Sequence, residues 1–432
     1  MMSHLLAVRK GEDVMSTKTG NMRWAILSGV VGTVIALWAV GSARADVASD
    51  KPGAILVYPK IVVDTGGVFG PPTDTEIQIT NTSNSVIGAR CFLVNATSYC
   101  SNSPDPTEPI ACTPATEADP NLANHRCPSG GLCLQQWTEN DFKMILTKRQ
   151  PVSWKASEGR DTFPCDEQGV ACFGGQTNGG AFALGTQTDP FFGELKCVEV
   201  DSNTFQPSIG FNPANNSGGD LKGEATIVSS VPPRVDARKY NAIALQSTRT
   251  NDNNDTLLIG GPNAEYDGCP NVLILNHLFD DAEIDTHEDS SPTSTVRTDL
   301  TVVPCGEDFN TQTANTATLQ FLVFNEFEQR FSTSTNVTCF REVPLSDIDT
   351  RPGPFGDRQS IFNVNVSGTL SGQTRIRSVQ GASTDNRVLA IAEEFMDCGS
   401  GPSDICSAAA NVHFSGSQSP KGDIISLSPN LP

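Results

Sequence analysis

Glu76-Ile77-Gln78-Ile79-Thr80 alternates polar and apolar residues without a break, and Phe362-Asn363-Val364-Asn365-Val366-Ser367 does so again far downstream. A period of two puts Ile77 and Ile79 on one face of a half-buried strand, and Phe362, Val364 and Val366 on one face of another. The second is expected to run through Leu370 to a Ser371-Gly372 turn and to return as Gln373 to Val379, a β-hairpin. Apolar runs at 55–58, 60–63, 142–146, 195–200, 226–228, 242–245, 272–275, 319–324 and 388–391 read as further strands. Few stretches hold a helical period over ten residues. Without helices between the strands, the crossovers that a parallel sheet requires are missing.

The fold expected is therefore all-β: two immunoglobulin-like antiparallel β-sandwich units with long disulfide-stapled loops. The first unit would span 46–294, with polar insertions, and the second 295–432. A faint internal echo supports two units. Ile77-Gln78-Ile79-Thr80-Asn81 is followed by Cys91-Phe92, and Phe321-Leu322-Val323-Phe324-Asn325 by Cys339-Phe340.

Residues 1–45 read as a signal region. Lys18 and Arg23 precede an uncharged apolar run from Trp24 to Val40, and Ala43-Arg44-Ala45 forms an A-x-A cleavage pattern. The run is short of the ~20 residues that a spanning helix needs, so no membrane span is expected after cleavage. The whole chain carries a net charge of -20. Setting aside the five basic and two acidic residues of the first 45 leaves 24 against 47, or -23. A field of that sign repels nucleic acid and anionic lipid surfaces. Export to the periplasm, the medium or the cell surface is the expected localisation.

All 13 cysteines follow residue 90, and an oxidising compartment should pair most of them. Cys165 with Cys172 and Cys398 with Cys406 enclose short loops. Cys91 with Cys197 would bridge two packed sheets of the first half, and Cys305 with Cys339 would do the same in the second. Cys100, Cys112, Cys127 and Cys133 would staple the polar insertion, which leaves Cys269 over. The rival for that insertion is a zinc site of Cys112, His125, Cys127 and Cys133, disfavoured by the absence of a C-x-x-C pair and by export.

No cofactor is expected. The densest group of ligand-type residues is His277, Asp280, Asp281, Glu283, Asp285, His287, Glu288 and Asp289, whose carboxylates would suit calcium better than zinc, although the spacing of a calcium-binding loop is lacking. A solvated acidic loop is the plainer reading. Glu326 and Glu328, two apart, would share one face of a continuous strand at a separation that overlaps that of inverting glycosidases, as would any such pair. Trp137 and Trp154 could stack on a sugar, or simply pack in the core. No G-x-S-x-G, H-E-x-x-H, Walker A or G-x-G-x-x-G motif occurs.

The segments LVYPKIVVD (Leu56 to Asp64), DTEIQITNTS (Asp74 to Ser83), ARCF (Ala89 to Phe92), GELKC (Gly193 to Cys197), EYDGCP (Glu265 to Pro270), FLVFNEFEQRFSTST (Phe321 to Thr335) and SDIDTRPG (Ser346 to Gly353) resemble a group of uncharacterised exported proteins from Gram-negative and environmental bacteria. The resemblance implies export and a single evolutionary unit, and carries no activity with it. The function expected is that of a non-enzymatic structural or adhesive protein whose partner is a cell-surface protein or glycan. A carbohydrate-binding or calcium-dependent module is the alternative, and a hydrolase stands last. N-terminal sequencing of the exported protein should return Asp46; a chain that retains Trp24 to Val40 would contradict the reading.

Overall fold

Nine consecutive buried residues, Ile55–Val63, form the first strand, β1. β3 (Ile87–Asn95) is likewise buried along its whole length, and β8 (Phe191–Val200) at all but one position. A strand buried on both faces needs a covering layer on each side, and the remaining sheets supply them. The computed structural model describes residues 49–100, 133–135, 137–160, 181–207, 218–231, 234–248, 252, 254–284, 294–349, 351–352, 358–397, 405–415 and 420–428. Strands are numbered in chain order.

Sheet I runs in the order β11 (Ile243–Leu245), β1, β8, β3, β6 (Thr138–Leu146), all pairs antiparallel, with a register shift between Tyr58 and Ile61 where β1 meets β8. Sheet II, β10 (Arg234–Asn241), β9 (Leu221–Val231), β2 (Thr73–Asn81), β7 (Pro151–Lys155), covers one face. There Leu56, Tyr58, Ala89 and Leu93 meet Ile77, Ile79, Trp154 and Ile227. Against the opposite face lies sheet III, β12 (Thr256–Ile259), β26 (Asp423–Ser426), β16 (Glu307–Asp308), where Ile55, Val57, Phe92 and Val198 meet Leu257, Ile259 and Ile425.

Sheet IV runs β18 (Arg330–Thr338), β17 (Thr316–Asn325), β22 (Ser371–Ser378), β13 (Val272–Leu278), β25 (His413–Ser415). It shares a third core with sheet V, β14 (Glu283–Ile284), β15 (Ser294–Pro304), β23 (Val388–Asp397), β24 (Ile405–Asn411), with β19 (Arg341–Pro344) beside β15. Two-stranded pieces, β4 (Ser98–Cys100) with β5 (Cys133–Gln135) and β20 (Arg351–Pro352) with β21 (Arg358–Gln359), and two helical turns, α1 (Leu345–Ile348) and α2 (Val364–Ser367), complete the described elements.

The all-β class holds, but two immunoglobulin-like sandwiches do not. The five sheets form a five-bladed, propeller-like arrangement. Sheets pack face to face locally, I on II and IV on V, yet sheet I is sandwiched twice and so cannot be half of a two-layer unit. Pairing also crosses the boundary at 294: β12 pairs with β26, and β13 with β22 and β25. Residues 45–432 form one compact unit.

Two local expectations change with it. Val364 to Ser367 is a helical turn, because the Asn363 side chain accepts the Asn365 N–H and Gly368, at φ 73°, closes the turn in a left-handed conformation open to glycine. Ser371 and Gly372 begin β22 rather than forming a hairpin turn.

Cys91 and Cys197 are bonded, but they face each other on the paired strands β3 and β8 of one sheet, with Cα atoms 4.0 Å apart, and do not bridge two sheets. Cys269, expected to stand alone, is bonded to Cys305, and Cys339 is the buried free thiol among the described residues. Cys406 is also disulfide-bonded, and Cys100 and Cys133 are paired positions of β4 and β5. Cys112, Cys127, Cys165, Cys172 and Cys398 lie outside the described residues, as does the signal region. Mapping without reductant should recover Cys91 linked to Cys197 and Cys269 linked to Cys305. Cys339 should resist alkylation in the native protein and label after unfolding; rapid native labelling would contradict its burial.

Candidate functional site

Because β1, β3 and β8 are covered on both faces, every ionisable side chain that they carry inward must find a counter-charge inside the protein or give up its charge. Lys60 of β1 reaches Glu342 of β19, Nζ to Oε1 2.6 Å, and Glu393 of β23. Arg238 of β10 meets the same Glu393, Nε to Oε1 2.9 Å, and extends to Asp236 and Ser407 at 3.2 Å each. Its guanidinium also lies 5.3 Å from the Phe395 ring. Burial opposes charge on Lys60, but Glu342 and Glu393 outweigh it and hold the ammonium above its usual range. Asp299 stands opposite Glu393 in the β15–β23 register, and burial pushes its carboxyl up to about 7 against the pull of Arg297. This cluster ties sheets I, II and V together.

A second cluster lies on the other side of sheet I. Phe192, Glu194, Lys196, Val198 and Val200 share one face of β8, and Glu194 and Lys196 are completely buried. Lys196 Nζ is 2.7 Å from Glu194 Oε1 and 3.7 Å from Glu307 Oε1 of β16. Burial raises Glu194 and pushes Glu307 up to about 8, while the two carboxylates hold Lys196 above its usual range despite its burial. The Cys339 thiol lies near enough to feel all three charges, and burial pushes it well up. These residues escaped sequence reasoning because charges at i and i+2 usually mark a solvent face. The apolar residues at both ends of that face were the readable sign of burial.

Of the acidic run weighed for calcium, four residues are described. His277 is buried, with Nε2 2.8 Å from Thr374 Oγ1 and Nδ1 3.0 Å from the Leu278 carbonyl, and burial pushes it down to about 4. Asp280 accepts the Thr298 and Ser346 N–H groups at 2.8 and 2.9 Å, while Asp281 bonds Asn363. Glu283 is exposed on β14. Asp285, His287, Glu288 and Asp289 lie outside the described residues, as does His125. Among the described residues no group of His, Cys, Asp and Glu is placed to hold a metal ion.

Glu326 and Glu328 are not on one strand. They sit in the turn between β17 and β18, where Glu328 has φ 61° and Glu326 accepts the Ser371 N–H and hydroxyl at 2.9 Å each. Trp154 is core, and half-buried Trp137 stacks 6.5 Å from Phe309.

The outer face of sheet IV is the broad exposed platform. Inward Leu319, Phe321, Val323 and Ile376 are core, so the alternate residues point to solvent. In successive rows Gln320 lies between Ser334 and Arg377, Leu322 between Ser332 and Arg375, and Phe324 between Arg330 and Gln373. The Arg375 guanidinium lies 5.9 Å from the half-buried Phe324 ring. Ile274 and His413 continue the Arg375 row. The outward positions of the five strands include Arg330, Arg375, Arg377 and His413, and neither Asp nor Glu.

No protein-family model and no curated protein matches the chain, so the site is read from its own geometry. Among the described residues no helix is long and apolar enough to cross a membrane.

Two tests follow from the buried charges. Lys60→Met leaves Glu393 with Arg238 alone and Glu342 without its cation, and should destabilise the protein by at least about 1–3 kcal/mol by denaturant unfolding; a loss within experimental error would contradict the cluster's role. Glu199, buried on β8 and accepting the Asp220 N–H at 2.7 Å, is raised to about 8 chiefly by burial. A carboxyl raised in the folded state binds its proton more tightly there, so its stabilisation is complete below the unfolded value near 4.5 and is lost as pH rises through 8. Stability should fall over that window, and Glu199→Gln should flatten the profile; an unchanged slope would contradict the assignment.

Proposed function

We propose that residues 46–432 act as a non-enzymatic exported adhesive protein, at the cell surface or in the periplasm, and that the outer face of sheet IV contacts an acidic glycan. The observation that carries this reading is the contrast between the outward strand positions of that face, which hold three arginines and no carboxylate with Glu326 only at the Ser371 edge, and a chain whose net charge is -20. Arginine presents a fixed fork of donors suited to carboxylate groups. The Ser, Thr, Asn and Gln side chains between the arginines offer donors and acceptors to sugar hydroxyls, and Phe324 offers a partly open ring. The field of the whole chain opposes any polyanion at long range, so the contact rests on the local arginines of this face at distances where salt no longer separates them.

The mature protein should bind immobilised polyuronate, weakening as salt is raised, and should ignore a neutral glucan of similar length. Combined Arg330→Ala, Arg375→Ala and Arg377→Ala substitution should weaken binding at least about tenfold with the circular dichroism unchanged. Equal binding by the variant, or equal binding to the neutral polymer, would overturn the proposal.

A further inference from the structure

We propose that Lys196 and Glu307 are joined by a self-formed amide between Lys196 Nζ and Glu307 Cδ, with Glu194 moving the proton. The bond would tie sheet I covalently to sheet III. It stands independently of the glycan reading.

The geometry supplies the three groups such a condensation needs. Lys196 Nζ has one carboxyl in hydrogen-bond contact, Glu194 Oε1 at 2.7 Å, and a second close by, Glu307 Oε1 at 3.7 Å. All three side chains are fully buried, and the Glu194 carboxyl also lies against that of Glu307. Holding reactants within such distances replaces a bimolecular encounter with a unimolecular step.

The surroundings are apolar. Lys196 lies between Val57 and Phe92 in the register of sheet I, and Phe309, two residues beyond Glu307, stacks on Phe92 with ring centroids 4.4 Å apart. In water an ammonium and a carboxylate are better solvated than the amide they could form. Here burial destabilises both ions and favours expulsion of the water released. One ammonium facing two carboxyls is also neutral overall only if one carboxyl keeps its proton, which is the form that an amine attacks.

The step balances. The Lys196 ammonium gives a proton to the Glu194 carboxylate, and the freed Nζ lone pair attacks Cδ of protonated Glu307. The Cδ–O bond then breaks, the hydroxyl departing as water with the proton that Glu194 received, while the nitrogen passes its second proton to Glu194, which ends protonated and neutral. Lys60 provides an internal contrast. Its Glu393 is shared with Arg238, and its other partner, Glu342, is 25 % exposed, so water and a second cation compete there. One bond is expected, not two.

Intact mass of the full mature chain, reduced and denatured, tests this directly. It should be lighter than the sequence by one water, and proteolysis should yield a branched peptide joining Lys196 to Glu307. Lys196→Arg and Glu307→Ala should each restore the full mass, and Glu194→Gln should leave freshly made protein largely unlinked. Full mass in the unmodified chain overturns the proposal whatever the variants do. Loss of water that persists in Lys196→Arg overturns the assignment, and complete linkage in Glu194→Gln overturns the role of Glu194.

Discussion

Burial of sheet I on both faces is the constraint from which the rest of this structure follows. Nine residues of β1 and nine of β3 lie out of contact with water, as do nearly all of β8. One face demands the apolar side of sheet II, and the other demands sheet III with parts of sheet V, so strands from both ends of the chain are drawn to the same sheet. The late strand β26 completes the pairing of β12 for this reason. Arg90 is likewise met by Asp255 at 3.1 Å and by the Ser428 carbonyl at 2.6 Å, so that a buried guanidinium on β3 holds the end of the described chain.

Placing charges in such a layer is costly, and the two clusters offset that cost in different ways. Around Lys60 the charges alternate, with Arg238 and Lys60 bracketing Glu393, so loss of either cation leaves Glu393 with a single partner in the low-dielectric interior. Around Lys196 no second cation intervenes among the described residues, and the excess carboxyl is relieved by keeping a proton. The first cluster suits an ion network that ties blades together. The second has the composition of a site for condensation. The first places its links between sheets, whereas in the second the shortest link, Lys196 to Glu194, lies within β8 and the longer contact to Glu307 is the one that reaches another sheet.

Much of the local structure was legible. Strict alternation in Glu76 to Thr80 gave the buried face of β2 with Ile77 and Ile79, and most of the short apolar runs became strands. The echo between Asn81 and Asn325 is real at the level of the turn. Each closes a strand and turns its amide both on the following loop, Asn81 to the Ser85 carbonyl and Asn325 to Gln329, and on a distant carbonyl, that of Leu146 or of Ser367. It ends there, because β17 pairs with β18 whereas β2 and β3 lie in different sheets. Strand partners are set by three-dimensional packing, which a period of two does not encode. The same limit explains the exchange of Cys269 and Cys339: chain distance suggested partners, and sheet packing chose others. The arginines of sheet IV were individually ordinary, and became a site only when register aligned β18, β17 and β22.

The central claim, that a doubly covered sheet I organises residues 45–432 as one unit, is tested most directly by native-state hydrogen exchange followed segment by segment. The account predicts that the amides of β1, β3 and β8 exchange most slowly, and that their opening coincides with that of β15 and β23 in sheet V and with global unfolding. Slow exchange split into two groups that open independently on either side of residue 294 would contradict it.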